Sequence, residues 1–264
     1  IAMDAGARQG VLMTSAHTLE TAGAITNIIF DKTGTLTQGT PSVSHRILLP
    51  VTGEPAGMDS SACGEVSGEE LKMWEDIARA EHGVSHPIAL ALRTHAAAVL
   101  GAWWTRSEAE DTSGSRALDL VHGDAAPEGR VDEIIGQGVV CASSEGDIAV
   151  GTERLMAGLE AGGHTACDEN GIGGALQTAL EAAETWERSG SSVVWVARRP
   201  SPGGAWVRRM AIAVSDPLRP EARVVVSELQ RRGLSVGILS GDSQGCVDGV
   251  LMALQLDSMQ GIGG

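Results

Sequence analysis

The stretch NIIFDKTGTLTQGTPSV, residues 27–43, decides how the rest of the chain is interpreted. Its first part is short, apolar and rich in β-branched residues, and it predicts a buried strand over residues 25–30. That strand ends directly at Asp31, and Lys, Thr and Gly follow at once. In open α/β sheets, ligands collect at the carboxyl ends of the strands. The order of these residues therefore indicates a site rather than an ordinary surface turn.

A second stretch of the same kind lies near the other end of the sequence. LSVGILS at residues 234–240 predicts another buried strand, and Asp242 follows it closely. The long sequence between the two strands has a different texture, with Gly-rich and acidic segments and helical patterns. We therefore expect a Rossmann-like α/β domain that is interrupted by an inserted α+β domain with an antiparallel sheet. Because both aspartates follow strand ends, we expect Asp31 and Asp242 to converge on one site.

Composition limits the possible functions. The 264 residues carry a net charge of -15, which argues against a nucleic-acid partner, since a phosphate backbone is bound by clustered Lys and Arg. No apolar run approaches the roughly 20 residues of a membrane helix. The first residues lack the features of a secretory leader, so a soluble chain is expected. The four cysteines form no CxxC pair and no Cys/His cluster, which favours free thiols.

Local patterns predict the remaining elements. A capping box formed by Ser67 and Glu70 begins a helix that runs to about Ala80, and Pro87 is typical of the first turn of another helix. Strands are predicted at 131–143 and 147–156, helices at 88–100, 175–189, 220–233 and 244–255, and a hairpin around 200–204. A loop-rich stretch is expected after Asp31, with a turn at 51–57, and a flexible excursion at 105–130.

The residues around Asp31 fit phosphoryl chemistry. A carboxylate can attack phosphorus and carry the phosphoryl group as an acyl phosphate. Because the attacked group is an anion, such a site needs positive charge, which Mg²⁺ held by carboxylates and substrate oxygens supplies. Thr33 and Thr35 can donate hydroxyl or backbone N–H groups, and Gly34 lets the backbone turn closely around a phosphate. Lys32 either adds positive charge to the site or points to solvent.

The run DKTGTLT at 31–37 resembles the phosphorylation signature of the P-type ATPases, members of the haloacid dehalogenase superfamily, at every position. SGDS at 240–243 stands where that family has TGDN. The resemblance implies that Asp31 is phosphorylated, that Ser240 holds the transferred group and that Asp242 keeps the second carboxylate. It implies catalytic roles for Asp31, Lys32, Thr33, Ser240, Gly241 and Asp242, and Mg²⁺ ligation by Asp31 and Thr33.

A helix junction indicates one branch of this family. AEHGVSHPIALAL, residues 80–92, resembles the SEHP-containing junction of the heavy-metal-transporting P-type ATPases. His86 and Pro87 match that junction, and an imidazole at a helix start can stack on or hydrogen-bond adenine. Glu81 matches an acidic residue that contacts the adenine region. Alone, a His-Pro pair more often marks an ordinary helix start.

Two further elements occur in the order that this branch shows, and a third matches the P-type ATPase family as a whole. Gly136 and Gly138 lie in GQGV, which resembles a GxG turn where a nucleotide approaches the backbone. Gly151 lies in VGTERLM, which resembles the GNxxL/M element with Thr in place of Asn. Asp216 and Arg219 match an element whose basic residue helps to place nucleotide phosphates. Each glycine motif alone is typical of an ordinary turn; together they favour the heavy-metal branch.

The resemblance implies a division of the chain and a setting for it. Residues 1–43 and 214–264 correspond to two parts of a phosphorylation domain, and residues 44–213 correspond to a nucleotide-binding domain. ATP and Mg²⁺ are the implied cofactors, with Cu⁺ favoured as the transported ion, bound outside these residues. The implied partners are ATP or ADP, the pump's actuator and transmembrane domains, and metal chaperones or metal-binding domains, at the cytosolic face of a membrane.

The family continues beyond these motifs to a GDGxNDxP loop that completes the Mg²⁺ site, and the sequence does not contain it. We therefore expect nucleotide binding by the isolated chain but incomplete turnover. Two alternatives stay open: a nucleotide-binding module without catalysis, and a phosphatase of the same superfamily. A phosphatase of that kind is expected to carry a second aspartate at position 33, where this sequence has Thr.

Overall fold

The computed structural model describes residues 2–8, 10–12, 15–50, 66–106, 129–161, 172–201, 203–256 and 261–262. Its helices are α1 (Ala2–Arg8), α2 (Ala16–Gly23), α3 (Gly68–Ala80), α4 (Pro87–Arg106), α5 (Glu153–Ala161), α6 (Ile172–Arg188), α7 (Ala222–Arg231) and α8 (Gln244–Leu254). Its strands are β1 (Asn27–Asp31), β2 (Ser42–Leu48), β3 (Arg130–Ile134), β4 (Gly138–Ala142), β5 (Asp147–Gly151), β6 (Ser192–Arg199), β7 (Val207–Ser215), β8 (Ser235–Leu239) and β9 (Gly261–Ile262).

A parallel sheet carries the two strands that end in acidic sequence. Its order is β1-β8-β9, and Asp31 lies opposite Leu239 in the register of β1 and β8. A core of aliphatic side chains from α7, α8 and the sheet packs beneath it, including Val226, Ile238 and Leu251. Because β1 and β8 run in the same direction, the residues that follow both strands emerge at one edge of the sheet.

A six-stranded antiparallel sheet is built only from strands that lie between β1 and β8 in the sequence. Its order is β2-β7-β6-β5-β4-β3. Side chains of β7 alternate between its faces: Met210 and Ile212 join the core against α3 and α4, whereas Ala211 and Ala213 join the core against α5 and α6. Helices therefore cover both faces of this sheet, and its strands are correspondingly apolar.

The predicted fold class is confirmed: a parallel-sheet α/β part and an antiparallel sheet formed by the intervening sequence. The structure contains β1 and β8, the two strands that were predicted to lead to Asp31 and Asp242. It also contains the β6–β7 hairpin and the predicted helices. Three predictions were wrong. The strand predicted to be buried at 25–30 corresponds to β1, whose residues alternate between exposed and half-buried, with Ile29 68% exposed. Residues 42–48, taken as loop, form β2, which pairs with β7, and the second half of 147–156 is not strand but the start of α5. The domain boundaries stay predictions.

The predicted capping box forms only in part. The Ser67 hydroxyl accepts a hydrogen bond from Glu70 N at 3.2 Å, as a helix cap does. The Glu70 carboxylate does not return to Ser67 but pairs with Arg46 of the missed strand β2 and accepts from Trp74 Nε1 at 3.3 Å. A buried guanidinium is a stronger partner than a backbone N–H.

None of the described helices is both long and apolar enough to cross a membrane. Of the described cysteines, Cys141 and Cys246 are buried free thiols, in agreement with the sequence prediction. The predicted turn at 51–57 and nearly all of the predicted excursion at 105–130 lie outside the described residues.

Candidate active site

The site begins at the shared edge of the two parallel strands. Asp31 is the last residue of β1, and its side chain is exposed. Ser240, Gly241 and Asp242 follow β8 directly. The structure thus brings the two aspartate-containing segments to the same edge, because their strands are adjacent and parallel.

Lys32 points into the protein rather than to solvent. Its side chain is 6% exposed, and its Nζ lies 2.5 Å from Asp242 Oδ2 and 3.3 Å from the sulfur of Cys246. Burial alone lowers the pKa of Lys32, but the Cys246 thiol and the Asp242 carboxylate outweigh it and raise that pKa above its ordinary value. Lys32 is therefore a fixed positive charge next to Asp31 in sequence.

Both carboxylate oxygens of Asp242 have donors. Oδ2 accepts from Lys32 and from the Ser240 hydroxyl at 2.7 Å, and Oδ1 accepts from the Ser192 hydroxyl at 2.8 Å. Burial raises the pKa of Asp242, but the charge of Lys32 and these hydrogen bonds reverse the effect and hold it below its ordinary value. The pair consequently stays ionised around neutral pH.

The loop after Asp31 is held by Thr37, which the sequence analysis missed as a functional residue. Thr37 is 1% exposed. Its hydroxyl accepts from Gly34 N at 3.0 Å and donates to Asp216 Oδ2 at 2.6 Å, while Asp216 Oδ1 accepts from Thr40 N at 3.1 Å. Gly34 has φ +76°, so glycine is needed for this turn. Thr33 is exposed on the same turn.

Arg219 lies against the same loop. Its Nη2 donates to Gly34 O at 3.1 Å, and its backbone N donates to Leu36 O at 2.8 Å. Asp216 and Arg219, predicted to serve the nucleotide, are thus joined to the loop of Asp31. No signal in the sequence alone showed this attachment, because it depends on contacts between residues far apart in the chain.

The remaining predicted site residues lie on the antiparallel sheet and its helices. Glu81, the C-cap of α3, is 5% exposed. Burial raises the pKa of its carboxyl to about 7, although the positive charge of Arg93 acts in the opposite direction and Glu133 of β3 adds repulsion. A carboxyl that can be neutral near pH 7 is suited to donate as well as accept a hydrogen bond.

His86 and Pro87 begin α4, as predicted. Both side chains are exposed, and His86 Nδ1 accepts from Ile88 N at 3.2 Å, so the imidazole caps the helix. That bond leaves the Nε2 side of the ring open to solvent or to a ligand.

Two of the three predicted nucleotide glycines have a role in the fold itself. Gly138 and Gly151 lie opposite each other in β4 and β5. A methyl group on Gly138 would collide with Val150 O, and one on Gly151 would collide with Gln137 O. Gly136, with φ +72°, has no atom within 4 Å of the position a methyl would take. Only Gly136 therefore offers bare backbone to a ligand.

The described residues around Asp31 offer Mg²⁺ only a few protein ligands. The described part of the chain contains no group of three or more His, Cys, Asp or Glu side chains arranged for a metal. Asp31 is exposed, while the neighbouring positive charge of Lys32 is already paired with Asp242. One carboxylate plus Thr33 suits Mg²⁺, which commonly keeps waters and substrate oxygens as its other ligands.

Comparisons with known proteins agree with this arrangement. Residues 25–261 match the family described as haloacid dehalogenase-like hydrolase. The chain is 32% identical, over 97% of its length, to the probable copper-exporting P-type ATPase of Archaeoglobus fulgidus, and covers 24% of that protein. It is 30% identical, over 94% of its length, to the probable copper-transporting ATPase PacS of Synechococcus elongatus, of which it covers 26%. The chain thus spans about a quarter of the length of these curated relatives.

A solved structure supports the fold. The catalytic domain of the CPx-ATPase CopB-B, in a study of conformational changes upon nucleotide binding, aligns with 99% of this chain and 69% of its own. The TM-score is 0.53 at 20% sequence identity. This likeness shows the fold alone.

Proposed function

Because the chain belongs to the haloacid dehalogenase-like hydrolase family, we propose that it is the ATP-binding, autophosphorylating cytosolic region of a P-type ATPase that pumps a heavy-metal cation. The observation that carries this proposal is the position of Asp31: an exposed carboxylate at the edge of the parallel sheet, followed by the buried pair of Lys32 and Asp242.

Asp31 supplies the nucleophile in this proposal. A carboxylate oxygen attacks the γ-phosphorus of ATP, a new oxygen–phosphorus bond forms, and the bond to the β–γ bridging oxygen breaks with its electron pair leaving on ADP. The Lys32 ammonium, on the residue next to the nucleophile, adds fixed positive charge to the site. The Ser240 hydroxyl, which donates to Asp242 Oδ2 in the structure, would turn to donate to the transferred phosphoryl oxygens. The product is an aspartyl phosphate.

Mg²⁺ would be held by Asp31 and Thr33 and would neutralise charge on the transferred phosphoryl group. The protein's own residues fix the rest of the loop. Arg219 and Asp216 tie it to the sequence after β7, so the backbone N–H groups around Gly34 keep one orientation. Such preorganised donors require no rearrangement during the reaction.

The antiparallel sheet and its helices would receive the nucleotide. Glu81 offers a buried carboxyl beside β3, His86 offers an exposed imidazole, and Gly136 offers open backbone. Together they supply the hydrogen-bonding groups and the unobstructed surface that a planar base requires.

Cu⁺ is the favoured cargo, because the two relatives with the highest identity reported above are named as copper pumps. The proposed partners are ATP or ADP and the actuator and transmembrane domains of the same pump, with metal chaperones or metal-binding domains as further candidates. The region would act at the cytosolic face of the membrane that holds the pump.

Calorimetric titration with ATP and ADP tests the nucleotide half of the proposal. The folded chain should bind both, Asp31→Asn should leave the affinity unchanged, and His86→Ala should weaken it by about tenfold, the cost of one hydrogen bond or stacking contact. Thr94→Ala, an exposed position on the same helix, is the matched control. A folded chain that binds no adenine nucleotide would overturn this half.

Transfer of ³²P from γ-labelled ATP to the protein encoded by the complete reading frame tests the other half. An acid-stable, hydroxylamine-sensitive phosphoprotein that Asp31→Asn abolishes is expected. Nucleotide binding without any phosphoprotein would favour a binding module, and rapid release of phosphate with no trapped intermediate would favour a phosphatase.

A further inference from the structure

One residue of the antiparallel sheet reaches the charged pair beside Asp31. Ser192 is the first residue of β6, and its partner across the sheet is Val214 of β7. Its hydroxyl nevertheless donates to Asp242 Oδ1 at 2.8 Å, across 50 positions of sequence. The antiparallel part of the molecule therefore contributes a hydrogen bond to a carboxylate that belongs to the parallel part.

The two carboxylate oxygens of Asp242 have different partners. Oδ2 accepts from Lys32 and Ser240, whereas Oδ1 accepts from Ser192. A carboxylate held at one oxygen can rotate about its Cβ–Cγ bond, and a donor at the other oxygen prevents that rotation. The Ser192 hydroxyl thus selects the orientation in which Asp242 meets Lys32.

The turn that carries Ser192 is itself fixed against α8. Cys246 donates its S–H to Gly190 O at 3.1 Å, and the Ser243 hydroxyl donates to Glu187 Oε1 at 2.7 Å. Gly249 faces the same turn so closely that a methyl group there would collide with Gly190 N. With its backbone locked on both sides, Ser192 has little freedom to leave Asp242.

We propose that Ser192 is a positioning residue, supplied by the antiparallel part of the molecule, that fixes Asp242 and, through it, the ammonium of Lys32, the residue next to the nucleophile Asp31 in the chain. This inference rests on the proposed function for its meaning in phosphoryl transfer. It goes beyond that function, because the position of the Lys32–Asp242 pair then depends on where the antiparallel sheet holds Ser192.

The lysine content of the chain makes a direct test possible. The sequence contains two lysines, Lys32 and Lys72. With ¹⁵N-labelled lysine, the side-chain ammonium spectrum therefore holds two signals, and Lys72→Arg assigns them. The ammonium of Lys32 is buried and paired, whereas that of Lys72 is 40% exposed in a surface pair. The ammonium protons of Lys32 should therefore exchange slowly with water, and those of Lys72 should exchange rapidly.

Ser192→Ala should raise the proton-exchange rate of the Lys32 ammonium by about tenfold, the factor that corresponds to losing a hydrogen bond to a charged group. Ser192→Thr keeps a hydroxyl and should restore the slow rate. Ser191→Ala is the matched control, because the neighbouring hydroxyl contacts Ser215 at 2.8 Å rather than Asp242. The Lys72 signal should be the same in all three variants.

An unchanged Lys32 exchange rate in Ser192→Ala would overturn the proposal, as would an equal increase in Ser191→Ala, which would point to general loosening of the turn. Phosphoprotein formation by the complete protein supplies the reaction readout. Ser192→Ala should lower its rate at saturating ATP by about tenfold and leave the half-saturating ATP concentration unchanged. If the wild type forms no phosphoprotein, the proposed function fails, while the lysine spectrum still decides whether Ser192 positions the pair.

Discussion

The region around Asp31 and the region around Glu81 differ in whether their polar groups already have partners within the protein. Around Asp31, the charged groups are matched within the protein: Lys32 with Asp242, and the half-buried Asp216 with Thr37 and the backbone of Thr40. Glu81 is a buried carboxyl with a pKa raised to about 7, and Gly136 and His86, predicted to serve the same ligand, are open to solvent.

The difference teaches what each region is prepared to meet. A site whose charges are already paired is rigid and keeps its electrostatic field before any ligand arrives, which favours a reacting group of fixed geometry. A site with a buried, incompletely compensated carboxyl and bare backbone keeps unmet hydrogen-bonding capacity, which a ligand can satisfy. Substitutions in the first region should therefore act on stability and on phosphoryl transfer, whereas substitutions in the second should act on stability and on nucleotide binding.

The largest effect is expected from removing the charge of Lys32. Lys32→Met leaves Asp242 mostly buried without its ion partner and should lower the free energy of unfolding by about 3 to 5 kcal/mol. Urea unfolding, with the midpoint and slope fitted together, measures the loss.

Lys72→Met is the matched control for this comparison, because its pairs with Glu75 and Glu145 are partly exposed. Its third partner, the buried Asp76 at 3.8 Å, keeps Arg79 and Arg198, so the substitution should cost less than about 1 kcal/mol. Adding Asp242→Asn to Lys32→Met should recover part of the loss, since no uncompensated charge then remains. Equal losses for the two lysine variants would show that the Asp31 region is not the preorganised one.

The sequence could predict the parallel half of this comparison because the physics there is local. A short apolar strand that ends in an aspartate, twice in the chain, places both aspartates at one sheet edge once the strands are parallel. It could not predict Thr37, Ser192 or Cys246 as part of the site. Their roles depend on which distant segments pack against them, and a serine at a strand start has no distinguishing pattern.

The antiparallel half was predicted less completely for a related reason. Residues 42–48 carry polar side chains within a strand whose partner, β7, lies far along the sequence, so their local pattern did not indicate pairing. The GxG motif indicated that side chains must be absent at Gly136 and Gly138, but it did not show the structural reason. At Gly138 the reason is a neighbouring strand, and only Gly136 faces open space.

A smaller effect, with a defined pH dependence, is expected from Glu81. Its folded pKa of about 7 lies above its unfolded value, so the folded protein holds a proton that the unfolded chain has lost. Stability contributed by this group is full below about pH 4.5 and is lost as pH rises towards 7. Glu81→Gln removes the titration and should be more stable than the wild type by about 3 kcal/mol at pH 8.

Urea unfolding of Glu81→Gln and the wild type at pH 5, 6, 7 and 8 measures this widening difference. Glu75→Gln, a partly exposed position on the same helix, should show no comparable increase with pH. A difference that stays constant from pH 5 to 8 would mean that the Glu81 carboxyl is compensated in the folded state, and the contrast between the two regions would weaken.

The smallest effect on stability, and the sharpest on binding, is expected at Gly136. Its φ of +72° is unfavourable for any residue with a side chain, so Gly136→Ala should cost about 1 kcal/mol although there is space for the methyl group. Gly158→Ala, within α5 and equally open, should instead gain about 0.5 to 1 kcal/mol. Because the new methyl at 136 lies where a nucleotide would approach the backbone, Gly136→Ala should also lower ATP affinity in calorimetry, and Gly158→Ala should not. Full ATP affinity in Gly136→Ala would mean that the base binds elsewhere, and the open backbone at this turn would then be only a consequence of its geometry.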